Sequence, residues 1–378
     1  MIVSEDYAKN LLASYGLSTP AGRVVHTPDE AADFTQELGG FSVLKALIPT
    51  GGRGKAGGVQ VCRSVEQARH AAGQLLGSEI LGYQVAALLV EQMVAYDREI
   101  YASIILNTAT DKIDLMVSFT GGVEIENTAR EVQGSILLLT VEPGDVLPVH
   151  RVRRWLEQNR VNSADISPLA GVLVNLYRAA ADLDAILLEI NPLAVCHDGR
   201  LMLLDCKLEV DNSGLARQPG LNEYYLQSLS QRELLARRLG VSYVALDGDI
   251  GVITSGAGLG MATLDMLKSK GLTPANFLDT GGGISEQMVK GALELIMEPP
   301  QVRGAIINLY GGINRMLEAA KGITSALDNI PGSRPVVVKI LGNQQEESWA
   351  MLESVPDVHV IRVVQTEAAV ERLASLLN

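Results

Sequence analysis

Hydrophobic and polar positions are distributed along this chain in two different ways. Up to about residue 240, short apolar runs are interleaved with amphipathic segments, which predicts helices mixed with antiparallel hairpins, an α+β region. Thr27-Pro28-Asp29-Glu30 has the form of a capping box with proline at the first helical position and predicts a helix to about Leu38. Ser64-Val65-Glu66-Gln67 predicts another helix start. Residues 87–91, 99–106 and 114–119 read as strands, 150–158 and 166–182 as helices, and 185–206 as a strand pair. After about residue 240 the pattern changes. Five apolar runs, "IGVITS", "ANFLD", "GAIINLY", "PVVVKIL" and "VHVIRV", are each followed by a helix-length segment. That is the pattern of a doubly wound parallel sheet with helices on both faces, an α/β domain. The expected domains are 1–238 and 239–378, with the charged segment "QRELLARRLG" as a linker helix at the boundary.

Composition narrows the partners. The chain has 378 residues, is 47% hydrophobic and 20% charged, and so has enough apolar material for two or three globular domains. A net charge of −13 argues against nucleic acid or an anionic membrane surface as a main partner. It does not argue against small anions, because local Lys and Arg residues override a global field. No apolar run approaches the roughly 20 residues of a membrane span. The opening "MIVSEDYAKN" lacks the basic and apolar regions of a signal peptide. Cys62, Cys196 and Cys206 are scattered, with no C-x-x-C spacing; they offer no zinc site and fit a reducing, cytoplasmic setting.

Two features carry candidate chemistry. The first is "PTGGRGKAGGVQ" at 49–60, with five glycines in eight positions beside Arg53 and Lys55. It fails as a P-loop, because Pro49 stands at the first glycine position and Ala56 follows Gly54-Lys55 where a hydroxyl is required. Gly52, Gly54 and Gly57 match a dinucleotide-binding pattern, but that pattern needs a following helix, and "GVQVC" is strand-like. With "FSVLKAL" before it, the stretch reads as the tip of a β-hairpin. Such a hairpin either covers phosphates, as in some kinases, or is simply flexible. The second feature is "LLEINPLAVCHDGRLMLLDCKLE". A three-residue loop at His197-Asp198-Gly199 sets Cys196 opposite Arg200, Asn191 opposite Asp205 and Glu189 opposite Lys207. Side chains alternate faces along a strand, so Glu189, Asn191, Asp205 and Lys207 share one face. An amide oxygen and a carboxylate side by side suit magnesium, with phosphates and water completing the shell. The alternative is a surface hairpin with a Glu–Lys pair. In the second half, Gly256-Ala257-Gly258, Gly281-Gly282-Gly283 and Gly311-Gly312 fall at the carboxyl ends of strands, where doubly wound sheets bind ligands.

These segments resemble a known family along almost the whole chain. "GGRGKAGGV", "GGVEIE" (121–126), "EINPL" (189–193), "ARQP" (216–219), "YVALDGDIG" (243–251), "PANFLDTGGG" (274–283) and "GGINR" (311–315) are similar to the β subunit of succinyl-CoA synthetase. The resemblance implies an ATP-grasp domain followed by a flavodoxin-like CoA-ligase domain. It implies ADP-forming ligation of a small carboxylate to coenzyme A, in which ATP phosphorylates a histidine, the phosphoryl group passes to the carboxylate, and CoA attacks the acyl phosphate. By the same resemblance Lys45 and the backbone of Gly52, Arg53 and Gly54 bind ATP phosphates. Glu91 and Val94 lie on the hinge at the adenine, and Glu99 holds the ribose. Asn191 and Asp205 hold Mg2+, and Glu189 positions the phosphohistidine. Pro20 matches ATP-using rather than GTP-using members. Gly312 and Ile313 open a helix facing the phosphohistidine. That histidine belongs to a separate α subunit, in an αβ or α2β2 assembly; His26, His70, His150, His197 and His359 are not in a matching context. Much of the CoA site is then also on the α chain.

The departures concern the acid. Ser255 replaces the family's Asn in "NGAG"; "GGIVRCD" becomes "GGINRML", bringing in Asn314; and "RLEGN" becomes "KILGN", with Lys339 and Leu341. Asn314 supplies an amide able to bind a hydroxyl or carboxylate. Succinate is the default substrate, and a paralogue acting on malate, citrate, a sulfonate or another small acid is the alternative. A nucleotide-binding assembly subunit without catalysis is a further one.

Overall fold

In the computed structural model the described residues are 1–119 and 136–377, so "GGVEIE" lies outside them. The chain divides into two compact units, Met1–Asn222 and Glu223–Asn378. The helix Gln231–Leu239, expected at the end of the first domain, therefore belongs with the second unit. Burial explains the difference: Ala236 on that helix and Val241 just beyond it sit in the second unit's core, while Arg232 faces out and pairs with Glu298.

In the first unit every strand pairing among the described residues is antiparallel. A four-stranded sheet runs in the spatial order Gly22–Val25, Leu88–Gln92, Ser42–Ala46, Val59–Cys62. Helices Pro28–Glu37 and Val65–Leu75 bury their apolar stripes against it. Both start where the sequence predicts. Thr27 Oγ1 accepts the Glu30 N–H at 3.2 Å and Ser64 Oγ accepts the Gln67 N–H at 3.2 Å. Glu30 and Gln67 each reach back one residue past the cap, to His26 N and Arg63 N. A larger sheet runs Ile2–Val3, Cys206–Val210, Ala185–Cys196, Tyr96–Asn107, Lys112–Ser118, Leu137–Val141, with Leu201–Leu203 also paired to Ala185–Cys196. Helix Ser163–Asp182 packs on this sheet through residues such as Leu169, Leu173 and Leu176.

The second unit has six strands in the order Ser242–Ala245, Asn276–Asp279, Ile250–Thr254, Gly304–Arg315, Val336–Asn343, Val358–Val360. The first is an antiparallel edge strand and the other five are parallel. The five β-to-α units expected from the sequence are all present, and their strands follow the 2-1-3-4-5 order of flavodoxin-like sheets. Alternation divides each strand between two cores: Val252, Ile306 and Val337 face one side, and Ile253, Ile307 and Val338 the other. Strand order reverses between Ile250–Thr254 and Gly304–Arg315, which makes the loops after these strands the switch point. Strand Ser242–Ala245 escapes the sequence pattern because most of its residues are exposed and it gives no apolar alternation.

Candidate functional site

The hairpin in the first unit closes as its loop chemistry requires. Cys196 N–H donates to the Arg200 carbonyl at 2.9 Å, and Gly199 takes a left-handed φ of 80°. The register follows outward: Leu193 is opposite Leu203, Ile190 opposite Cys206 and Glu189 opposite Lys207, and Asn191 N–H donates to the Asp205 carbonyl at 3.2 Å. Asn191 and Asp205 are thus neighbours on adjacent antiparallel segments. Glu189 lies two residues before Asn191 on the same strand, also opposite Ser103. Between them Cys206 is buried, and burial pushes its thiol up to about 12, so it stays a protonated packing residue. Among the described residues no three His, Cys, Asp or Glu side chains gather into a metal cage. Asn191 and Asp205 offer two hard oxygens, a set that fits an ion whose remaining positions go to phosphates and water.

The glycine-rich stretch is the tip of a hairpin, as its flanks predict. Strand Ser42–Ala46 pairs with Val59–Cys62, with Lys45 opposite Val59, and residues 47–58 connect them. Gly52 and Gly57 have φ of 79° and 83°, which a side chain would strain. A Cβ on Gly58 would lie 3.1 Å from the Arg53 carbonyl, which accepts the Gly58 N–H at 2.8 Å. The Arg53 side chain turns inward. Its guanidinium donates to the Ala46 carbonyl at 2.9 Å, to Asp205 Oδ1 at 3.0 Å and to Glu5 Oε2. The loop is thereby tied to the hairpin that carries Asp205, while Gly52, Gly54, Lys55, Ala56 and Gly57 stay exposed.

Beneath the loop lies a buried ion cluster. Lys45 Nζ donates to Glu5 Oε1 (2.8 Å), pairs with Glu91 Oε2 (2.8 Å) and reaches the Leu204 carbonyl (2.5 Å). Lys9 Nζ meets Glu5 Oε1 (2.7 Å), Glu91 Oε1 (2.5 Å) and the Leu204 carbonyl (2.7 Å). Burial, reinforced by the Lys45 charge, pushes the Lys9 ammonium down to about 8 against the pull of Glu91. Lys45 is held above its usual range: its burial opposes this, and Glu91 and Asp205 outweigh it. Glu91 therefore spends its carboxylate on the two lysines, and what it offers at the hinge is backbone. Glu5 and Lys9 escaped the sequence reading, although a signal existed. The buried face of helix Glu5–Ser14 reads Glu5, Ala8, Lys9, Leu12, placing two charges on the core-facing stripe of an amphipathic helix. Toward the other end, half-buried Val94 precedes Tyr96, whose hydroxyl donates to Glu99 Oε1 at 2.8 Å. Desolvation and that carboxylate push the Tyr96 phenol up to about 12, so it remains a donor.

In the second unit the switch-point loops are knitted together by side chains. Ser255 Oγ donates to the Tyr310 carbonyl (3.1 Å) and accepts the Tyr310 N–H (2.9 Å), joining the two strand ends where the order reverses. Asp279 Oδ1 accepts the N–H groups of Gly256 (2.6 Å) and Gly281 (2.8 Å). Asn314 is only 5% exposed, and its Oδ1 accepts from Gly283 N (2.9 Å) and Ile284 N (3.4 Å). The amide expected to face a substrate thus secures a neighbouring glycine loop, because the chain turns residue 314 inward where helix Met316–Leu327 begins. Gly312 and Ile313 remain outside, Ile313 being 91% exposed.

Known proteins bear on both units. An ATP-grasp domain profile matches residues 3–195 and a CoA-ligase profile matches residues 253–372. The chain is 40% identical over 354 residues to the succinate–CoA ligase [ADP-forming] subunit beta of Roseiflexus sp. (strain RS-1), covering 93% of each. It is also 40% identical over 357 residues to the succinate–CoA ligase [GDP-forming] subunit beta of Thermus thermophilus, covering 94% of each. Among solved structures, ATP citrate lyase from Methanothrix soehngenii, in complex with citrate and coenzyme A, aligns with a TM-score of 0.80 over 99% of each chain at 18% identity, a likeness of fold. No helix among the described residues is long and apolar enough to cross a membrane. With this identity over nearly its full length, and an ATP-grasp domain followed by a CoA-ligase domain, the chain belongs to the family of succinate–CoA ligase β subunits.

Proposed function

We propose that this chain is the nucleotide-binding subunit of an ADP-forming carboxylate–CoA ligase that phosphorylates a histidine on a separate α subunit. The observation that carries this reading is the placement of Asn191 and Asp205 side by side, with Asp205 held 3.0 Å from Arg53 of the glycine-rich loop. ATP phosphates lie against the backbone N–H groups of Gly52, Arg53 and Gly54, over the positive charge of Lys45. Glu99, oriented by Tyr96, accepts from the ribose hydroxyls, and the backbone at Glu91 and Val94 meets the adenine. Asn191 and Asp205 hold Mg2+, which when bound screens the charge of the phosphate chain. Glu189 orients the incoming histidine. Pro20, as in ATP-using relatives of this type, favours ATP. CoA and the acid meet the second unit at its switch point, near Ser255, Gly312 and Ile313, with most of the CoA site on the α subunit. The experiment is to combine the chain with its α partner, Mg2+ and γ-labelled ATP. Acid-labile label on an α-chain histidine, abolished by Glu189→Gln, is expected; label-free α chain refutes the reading.

A second reading concerns the acid. Asn314 secures the Gly281–Gly283 loop through an amide that the family's valine lacks. A loop held differently favours an acid other than succinate, such as malate or citrate, since an unmatched polar group discriminates by 10-fold or more. A thioester screen over small acids tests this. Ser255→Asn with Asn314→Val should raise succinate turnover relative to the native acid, and an unchanged ratio counts against it.

A further inference from the structure

We propose that Glu5 is a positioning residue for the nucleotide site, holding the glycine-rich loop down and keeping the Arg53 guanidinium from taking over Asp205. The proposal rests on the ATP-grasp reading and deepens it. The Glu5 side chain is 2% exposed and, among the described residues, is the one carboxylate that meets three cations from three separate elements. Oε1 receives Lys9 from its own helix at 2.7 Å and Lys45 from strand Ser42–Ala46 at 2.8 Å, and Oε2 receives Arg53 from the loop. Glu91, the other buried anion, meets Lys9 and Lys45 but is not among the Arg53 partners. Among the described residues, Glu5 is therefore the one side chain that ion-pairs directly with both the strand lysine and the loop arginine.

Its charge has two consequences. It fixes the guanidinium, which anchors the loop whose backbone faces the phosphates. It also divides that guanidinium between two carboxylates. With Glu5 neutral, Arg53 keeps, among the described residues, Asp205 and the Ala46 carbonyl as partners, so its full charge falls on Asp205 and competes with a divalent ion there. The loop meanwhile loses its deepest tether.

The test uses the full chain and two readouts, hydrogen exchange of residues 51–58 and calorimetric ATP–Mg2+ binding. Variants are E5Q, E5D, K9M and E5Q/K9M. The double variant removes one buried anion together with one buried cation, which keeps the remaining charges balanced and the fold intact. With Glu5 neutral, both in E5Q against wild type and in E5Q/K9M against K9M, loop exchange should accelerate about 10-fold or more. ATP–Mg2+ binding should weaken about 10-fold or more in the same comparisons, with E5D between wild type and E5Q. A lowered unfolding midpoint with loop exchange and affinity unchanged overturns the proposal, since Glu5 would then only support the fold. Wild-type chain that binds no ATP–Mg2+ overturns the proposed function instead, and loop exchange alone then decides the role of Glu5.

Discussion

Replacing Asn314 by valine tests whether the inward amide holds the switch-point loops. In the structure one oxygen serves two backbone donors, Gly283 N at 2.9 Å and Ile284 N at 3.4 Å. Gly283 is exposed, and water can replace the lost acceptor there; Ile284 is buried, and its N–H is left unsatisfied. An unsatisfied buried donor costs about 1–3 kcal/mol, and the long, weak bond to Ile284 favours the lower half of that range. Valine fills similar volume, so no cavity is added. For a unit of this size about 1 kcal/mol shifts the thermal midpoint by roughly 2–4 °C, which predicts a drop of about 2–8 °C in the second unit's transition. Local opening should be easier by the same free energy, so exchange of the Gly283 and Ile284 amides should rise by about 5- to 30-fold. Calorimetry reads the first quantity and mass-resolved hydrogen exchange over 281–285 the second. Exchange within about 2-fold of wild type at both amides would refute the argument, whatever the midpoint does, because the contact would then carry no load.

Glu91→Gln leaves two buried ammoniums sharing Glu5, and urea unfolding should show a loss of about 3–5 kcal/mol; less than about 1 kcal/mol would mean the cluster redistributes its charge freely. Asp205→Asn should weaken ATP binding about 10-fold or more in Mg2+ and leave it nearly unchanged in EDTA, as read by calorimetry. Lys339 is 2% exposed and donates to Asn308 Oδ1 at 3.1 Å, and burial pushes its ammonium below its usual 10.5. The unfolded chain then binds more protons in the window just below 10.5, so this residue makes stability rise with pH there. Lys339→Met should be at least as stable as wild type at pH 7, and its stability should lack that rise in urea unfolding between pH 7 and 10.

Much of the fold was legible because its signals are short-range. The Thr27 and Ser64 caps, the His197-Asp198-Gly199 turn and five apolar runs each act within a few residues, and each formed where it was read. The register that sets Asn191 beside Asp205 was legible for the same reason, since one turn fixes a whole hairpin register. The boundary helix Gln231–Leu239 was not: its charge suggested a linker, and only the fold shows Ala236 entering the second unit's core. Asp279, which ties two glycine loops together, gave no local sign of that role.

By itself the sequence determined the two-part organisation, the glycine-rich hairpin, the pairing of residues 191 and 205, and the order of five β-to-α units. Tertiary structure alone decided which charges are buried and whom they meet. Glu5, Lys9, Lys45, Arg53, Glu91 and Asp205 come from distant parts of the chain, and their attraction is strong only after packing has excluded water. It also turned Asn314 from the surface to the support of a neighbouring loop. Local rules govern where a side chain leaves the backbone, whereas the electrostatics of the site depend on the dielectric around it, which exists only once the chain has closed.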